Sequence, residues 1–282
     1  MAGVAIVTDS TAYLPASVVG NVRVVPLRVH LGARTFIDGV DVTPADVVRT
    51  LKAKQPVSTS RPSPAEFAAV YRSCLEAGAE NVVSIHLAAA LSGTWESAVL
   101  ASQDFGYGVV RVVDSRGTAG GLGFAVAAAS AAAAAGATAA DVQQAATEVV
   151  DKTRTFFYVD TLEYLRRGGR IGAATALLAT SLSVKPLLQM VEGHIVALEK
   201  VRTPTRALAR LVSLVADAAG PGPVDVAVHH LAAASRAEAV AAQLRIALPT
   251  IRELHVAQLG PVLSAHLGPG VIGAVLVRRD AD

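Results

Sequence analysis

The first half of the chain repeats one pattern of apolar and polar positions. A short β-branched run is followed by a loop of small hydroxyl residues and then by an alanine-rich stretch with helical spacing. Val4 to Val7 leads into Thr8-Asp9-Ser10-Thr11, Val82 to Leu87 into Leu91-Ser92-Gly93-Thr94, and Val109 to Val113 into Asp114-Ser115. Strands alternating with helices predict a parallel sheet covered on both faces. In such sheets ligands sit beyond the carboxyl ends of the strands, where all three polar loops fall. Ser63-Pro64-Ala65-Glu66 reads as a capping box with proline at the first helical position, so Ser58-Thr59-Ser60 is the approach to a helix start.

After a helix from Ala139 to Lys152 the pattern changes near Phe156. A strand through Val159, a short helix from Thr161 to Arg167 and a glycine stop at Gly168-Gly169 come next. Leu187 to Val191 and Ile195 to Lys200 predict a hairpin turning at Glu192-Gly193. A helix from Thr205, a strand from Val224 to Val228, a helix capped by Ser235 with Glu238, and a strand near Leu254 to Ala257 follow. The chain closes with Gly260-Pro261, a short helix to His266, Gly268-Pro269-Gly270 and a strand from Ile272 to Val277. The reading is an α/β protein of two domains: a Rossmann-like parallel-sheet domain over residues 1–155 and a mixed-sheet α/β domain over residues 156–282.

Composition agrees with this and removes several alternatives. With 282 residues, 52% hydrophobic and 17% charged, the chain has ample material for a large core, which excludes intrinsic disorder. Lys plus Arg number 25 against 23 Asp plus Glu, a net charge of +2, and aromatics are 4%, so no basic, base-stacking face for nucleic acid is evident. The charge-free stretch Gly117 to Ala140 has the length of a membrane span, but its Ala, Gly, Ser and Thr fit a tightly packed interior helix better. The N-terminus has no basic n-region, and the single cysteine, Cys74, lies in an apolar helical stretch and reads as core. These features predict a cytoplasmic protein with no integral membrane segment.

Motifs for autonomous chemistry are missing. No Gly-x-Ser-x-Gly elbow or Walker sequence occurs, the Gly120, Gly121 and Gly123 cluster is not a Gly-x-Gly-x-x-Gly turn, and His229 and His230, adjacent on a strand, point to opposite faces and cannot share a metal. Hydroxyls before helices remain. Thr59 and Ser92 read either as caps or as donors to an anion favoured by the helix N-terminus. His266, between Gly-Pro turns, reads as a hydrogen-bonded structural residue or as part of a shaped site. Arg170, after Gly168-Gly169, reads as an anion contact or a partner of the helix dipole.

Taken together, Thr8-Asp9-Ser10-Thr11, Ser58-Thr59-Ser60-Arg61-Pro62-Ser63-Pro64, Leu91-Ser92-Gly93-Thr94, Asp114-Ser115, Val159 through Leu165 with Gly168-Gly169-Arg170-Ile171, Lys185-Pro186, and Gly260-Pro261 through Gly268-Pro269-Gly270 resemble the DegV family across nearly the whole chain. The resemblance implies a two-domain protein that holds one long-chain fatty acid between its domains and needs no cofactor or metal. It further implies a subunit without turnover that presents the carboxylate to a separate ATP-dependent fatty acid kinase, which forms the acyl phosphate. By the same resemblance Thr59, Ser92 and His266, with Arg170, bind the carboxylate. Arg202, in Glu199-Lys200-Val201-Arg202-Thr203, reads as a kinase-docking residue or as a solvated surface arginine. The chain departs from the family at Ala88-Ala89, where Ser-Ser is frequent, and at Arg61, where Gln is. The rival reading is a stand-alone esterase or phosphoryl-transfer enzyme using the Asp9-Ser10 and Asp114-Ser115 loops.

Overall fold

The computed structural model describes residues 3–13, 22–177 and 185–280. The first sheet joins β1 (Val4–Asp9), β2 (Val22–Val25), β6 (Asn81–His86) and β7 (Val110–Asp114) in the order β2-β1-β6-β7, every pair parallel. A small antiparallel sheet sets β3 (Arg28–Leu31) between β4 (Arg34–Ile37) and β5 (Val57–Ser60). The second large sheet runs β10 (His194–Val201), β9 (Lys185–Val191), β8 (Thr153–Tyr158), β13 (Ile272–Arg278), β11 (Val224–His230), β12 (Ile251–Gln258). Only its β11–β12 pair is parallel, so the sheet is mixed. The expected hairpin is β9–β10, with Glu192 and Gly193 both at positive φ.

The helices are α1 (Pro44–Lys52), α2 (Pro64–Glu76), α3 (Thr94–Ser102), α4 (Gly120–Ala134), α5 (Ala139–Lys152), α6 (Glu163–Arg167), α7 (Pro204–Ala219), α8 (Ala234–Ala247) and α9 (Pro261–Leu267), with a 3-10 turn at Gly172–Leu177. Phe67, Tyr71 and Cys74 of α2 and Ala98 of α3 pack on Val7 and Val82 at one face of the first sheet. Leu122, Val126 and Ala129 of α4 pack with Ile6, Val83 and Ile85 on the other face, in a cluster that also reaches Ala227, Val275 and Val277 of the second sheet. Helix α4 is therefore sandwiched between the two sheets, and its Gly and Ala let both approach closely. The outer face of the second sheet is covered by α7 and α8.

Three expectations need correction. The charge-free stretch is not one helix: α4 ends at Ala134, Gly136 turns the chain at φ +80°, and the Thr138 hydroxyl accepts from Asp141 N–H to start α5. Ser235 is no cap; α8 begins after Ala233 without a side-chain cap, so Ser235 lies within the first turn. The cause is upstream, where Leu231 bonds Val271 and Gly270 through its N–H and C=O and Ala232 turns at φ +50°. Thr59 is not at a helix start but in β5, opposite Val29, in a stretch that leads into Pro62 and Pro64 and favours extended backbone.

Candidate functional site

One cavity, about 860 Å³ of atom-free space with part of it open to solvent, lies between the large sheets. One wall is the inner face of the second sheet, and strand register explains which residues reach it. His229, Gly273 and Phe157 stand opposite one another across β11, β13 and β8 and form one row; Val275 and Thr155 belong to the row two residues further on. All five line the cavity. The remaining walls come from segments of both halves, including Leu87, Leu91, Ala119, Leu165, Ile195 and Leu259. Apart from the mouth described next, the polar side chains on the lining are Thr118, Thr155 and His229.

The mouth gathers Thr59, Ser92, His266 and Arg170 from four separate segments. The Thr59 hydroxyl and His266 Nε2 are 2.8 Å apart. His266 Nδ1 is buried without a partner among the described residues, over Gly168, where a Cβ would come within 2.3 Å of it. Gly168 is thus the one residue that admits the imidazole. Burial, and secondarily the Arg170 charge, brings the His266 pKa down to about 4, so the ring is neutral at pH 7. Arg170 is held by two backbone carbonyls: its Nε donates to Leu91 O at 3.0 Å and one terminal nitrogen to Gly168 O at 2.6 Å. Ser92 Oγ accepts from Thr94 N–H at 3.3 Å and lies 2.9 Å from the Thr94 hydroxyl, just before α3. The N-cap is Gly93, which has no side chain to cap with, so Ser92 stands one residue before it, tied to Thr94 in a local turn while also lining the cavity. Hydroxyls, a neutral imidazole and a fixed guanidinium can together receive one anionic group in an otherwise apolar chamber.

The His266 helix is clasped from outside. Helix α1 and the small sheet pack against α9, and Asp38 Oδ1 accepts from Val262 N–H at 3.2 Å, capping it. Burial pushes the Asp38 carboxyl up to about 6, the Asp9 charge adding, against hydrogen bonds from Ser10 and Val262. Thr43-Pro44-Ala45-Asp46 forms a capping box like that of Ser63 to Glu66, a signal by which α1 was detectable in the sequence.

Other sequence-marked residues serve the scaffold. Asp9 accepts from the Thr11 hydroxyl, from Thr11 N–H and from Leu87 N–H; Asp114 accepts from Ala89 and Arg116 N–H; Ser10 accepts from Leu27 N–H. Asp9, His86 and Ser84 do form a carboxylate–imidazole–hydroxyl chain, at 3.1 and 2.6 Å, ending on Tyr71. All of Asp9, Ser84, His86 and Tyr71 have no exposed surface, so no substrate can reach the hydroxyl. Arg61 reaches Gly93 O and Glu96, and a Cβ on Gly93 would collide with it. Ala88 is buried beneath the hairpin tip, against Gly193. Arg202 is exposed, lines no part of the cavity and joins no ion pair among the described residues. His229 and His230 do face opposite ways, and no cluster of metal-ligating side chains occurs among the described residues. No described helix is long and apolar enough to cross a membrane.

The family model described as "Uncharacterised protein, DegV family" matches residues 3–279. A DegV domain-containing protein of Streptomyces coelicolor is 50% identical over 278 residues, covering 98% of this chain and 99% of that one. A solved structure described as fatty acid binding of a DegV family protein from Thermus thermophilus matches with a TM-score of 0.94 at 33% identity, covering 98% of this chain and 100% of that one. A stearic acid-binding protein from Eubacterium ventriosum matches with a TM-score of 0.87 at 26% identity, over 97% of this chain and 98% of that one.

Proposed function

The chain belongs to the DegV family, and from that premise we propose that it binds one long-chain fatty acid in the cavity between its sheets, carboxylate at Thr59, Ser92, His266 and Arg170. The observation that carries this reading is the cavity itself: polar groups gathered at one end and a mostly apolar chamber behind them. A sixteen-carbon chain burying about fourteen methylenes at about 0.8 kcal/mol each has an upper limit near 11 kcal/mol. Each head-group hydrogen bond contributes about 1–3 kcal/mol. The chamber sets affinity, and the mouth sets direction.

The bound carboxylate is presented to a separate ATP-dependent fatty acid kinase, which forms the acyl phosphate, and this chain turns over nothing itself. The family resemblance of the sequence motifs supports that role. Arg202, exposed and without an ion pair among the described residues, suits a docking surface for a partner carrying nucleotide phosphates. Ser84 and His86, in the hydroxyl–imidazole–carboxylate chain found among the described residues, are fully buried, which speaks against an esterase built on it.

The test is organic extraction of the purified protein followed by mass spectrometry, then titration with saturated and unsaturated fatty acids. One fatty acid per chain is expected. A protein that carries none and binds none of the series contradicts the reading.

A further inference from the structure

A second cavity, about 610 Å³ of atom-free space, lies beside the first. It is bordered by Tyr13, Gly120, Phe124, Ala227 and the edge strand β12, where the exposed His255 brings it to the surface. One residue lines both cavities, and it is His229. Its backbone is fixed by sheet pairing on both sides, to Gly273 of β13 and Ala257 of β12. Its ring is fixed as well. Gly120 N–H, the first of α4, donates to His229 Nε2 at 3.0 Å, and the Tyr13 ring stands 5.9 Å from the imidazole, centroid to centroid.

This bond does unusual structural work. The residue before α4, Ala119, sits at φ +53° and gives the helix no side-chain cap. An imidazole from the opposite sheet supplies the missing acceptor. Gly120 has no room for a side chain there, because a Cβ would lie 2.7 Å from His229 Nε2 and 2.8 Å from the Ala227 Cβ. Accepting from an amide requires a neutral ring with its proton on Nδ1. Burial favours that neutral form, bringing the pKa down to about 4. His229 is thus a shaped, uncharged partition whose position is held at both ends.

Resting on the fatty-acid reading above, we infer that His229 is the side wall that limits acyl-chain length, closing the chamber against the second cavity. Distance along the floor fits this role. From Val271, which just precedes β13 and packs in one cluster with Val262 and Ala265 of the His266 helix, to Gly273 in the His229 row and on to Val275 is a rise of four residues, about 13 Å at about 3.3 Å per residue. A chain that lies along this floor passes the imidazole before it reaches the last row. Any further methylenes must either fold back within the chamber or find space sideways, and the sideways space is shut by the ring.

The experiment titrates saturated fatty acids from twelve to twenty-four carbons against the wild type and against His229→Ala, His229→Val and His229→Gln. Valine suits a strand yet stops short of Gly120. Glutamine retains both bulk and an acceptor. The wild type is expected to lose affinity at least tenfold between its best length and a chain four carbons longer. Ala and Val are expected to remove most of that loss, with optima shifted by two or more carbons, whereas Gln keeps the wild-type limit. Wild-type affinity that stays flat to twenty-four carbons overturns the inference, and so does an unchanged optimum in the folded Ala or Val protein. If His229→Ala and His229→Val both fail to fold, the wild-type length profile alone still decides. A wild type that binds no fatty acid at all overturns the parent reading; one that binds without a length limit overturns only the wall.

Discussion

The mouth and the floor of the cavity are built by opposite strategies. The floor is one continuous surface, the inner face of β8, β13 and β11, whose rows are set by register and whose central position is a glycine. The mouth is assembled from β5, the loop before α3, the turn after α6 and the short helix α9, held by single hydrogen bonds such as Thr59 to His266 and Arg170 to Leu91. A sheet face tolerates the loss of one side chain but not the filling of its one gap. A mouth of separate segments loses a little with each group and keeps its fold. The difference teaches where affinity and orientation reside, and it can be broken from either side.

The largest expected effect comes from the floor. Gly273→Val places a Cβ 3.6 Å from Phe157 Cβ, an ordinary contact, at a position without positive φ, so the strand accepts it. The added side chain points into the chamber. Fatty-acid affinity is expected to fall more than a hundredfold with an unchanged circular dichroism spectrum, measured by calorimetric titration. Affinity within threefold of wild type would remove the chain from this floor.

At the mouth the expected losses are smaller. Ser92→Ala and Thr59→Val each delete a hydrogen bond of about 1–2 kcal/mol, roughly 5- to 30-fold in affinity. Thr59→Val also unpairs His266 Nε2. If both hydroxyls serve only the scaffold, melting temperature falls while affinity, read well below the transition, stays put.

The clasp over the mouth responds to pH. The native Asp38 carboxyl, with its pKa raised to about 6, holds its proton more tightly than in the unfolded chain. Its contribution therefore favours the fold at low pH and is lost as pH rises through about 6. His266 and His229, each lowered from 6.5 to about 4, act in the other direction and cost stability as pH falls below 6.5. Asp38→Asn keeps an oxygen for Val262 N–H and has no charge to bury. Its melting temperature relative to wild type is expected to rise between pH 4 and pH 7, and a difference that is flat or that shrinks over this range contradicts the assignment.

The smallest effect on binding belongs to Arg202. Arg202→Ala should leave fatty-acid affinity within twofold, since the side chain lies outside the cavity, yet slow acyl-phosphate formation by the kinase. Steady-state kinetics with the variant as the varied substrate checks this, and an unchanged concentration dependence removes Arg202 from the docking surface.

Much of this was legible in the chain. Long β-branched runs such as Val82 to Leu87 and Val224 to Val228 are buried along most of their length, and their periodicity shows through. The small sheet does not show through, because Arg28–Leu31 and Arg34–Ile37 are four residues long and carry half-exposed Arg28 and His30 and exposed Arg34. Thr59 lines the cavity but stands on a strand and not at the helix start its sequence context suggests, since a capping box marks where a helix starts and says nothing of the strand before it. His229 alternates with His230 along β11, yet alternation alone does not tell which of the two faces the chamber. That needs a second sheet and the helix α4 between them. Nothing in the sequence marks Asp38, because its partner, Val262, is 224 residues away.

The most direct test is a crystal structure of the protein loaded with stearic acid. The account predicts one ligand per chain, its carboxylate within hydrogen-bond distance of the Thr59 and Ser92 hydroxyls and its methylenes crossing Gly273 beside the His229 ring. A carboxylate found at the Thr155 end, or a ligand outside the chamber between the sheets, would contradict it.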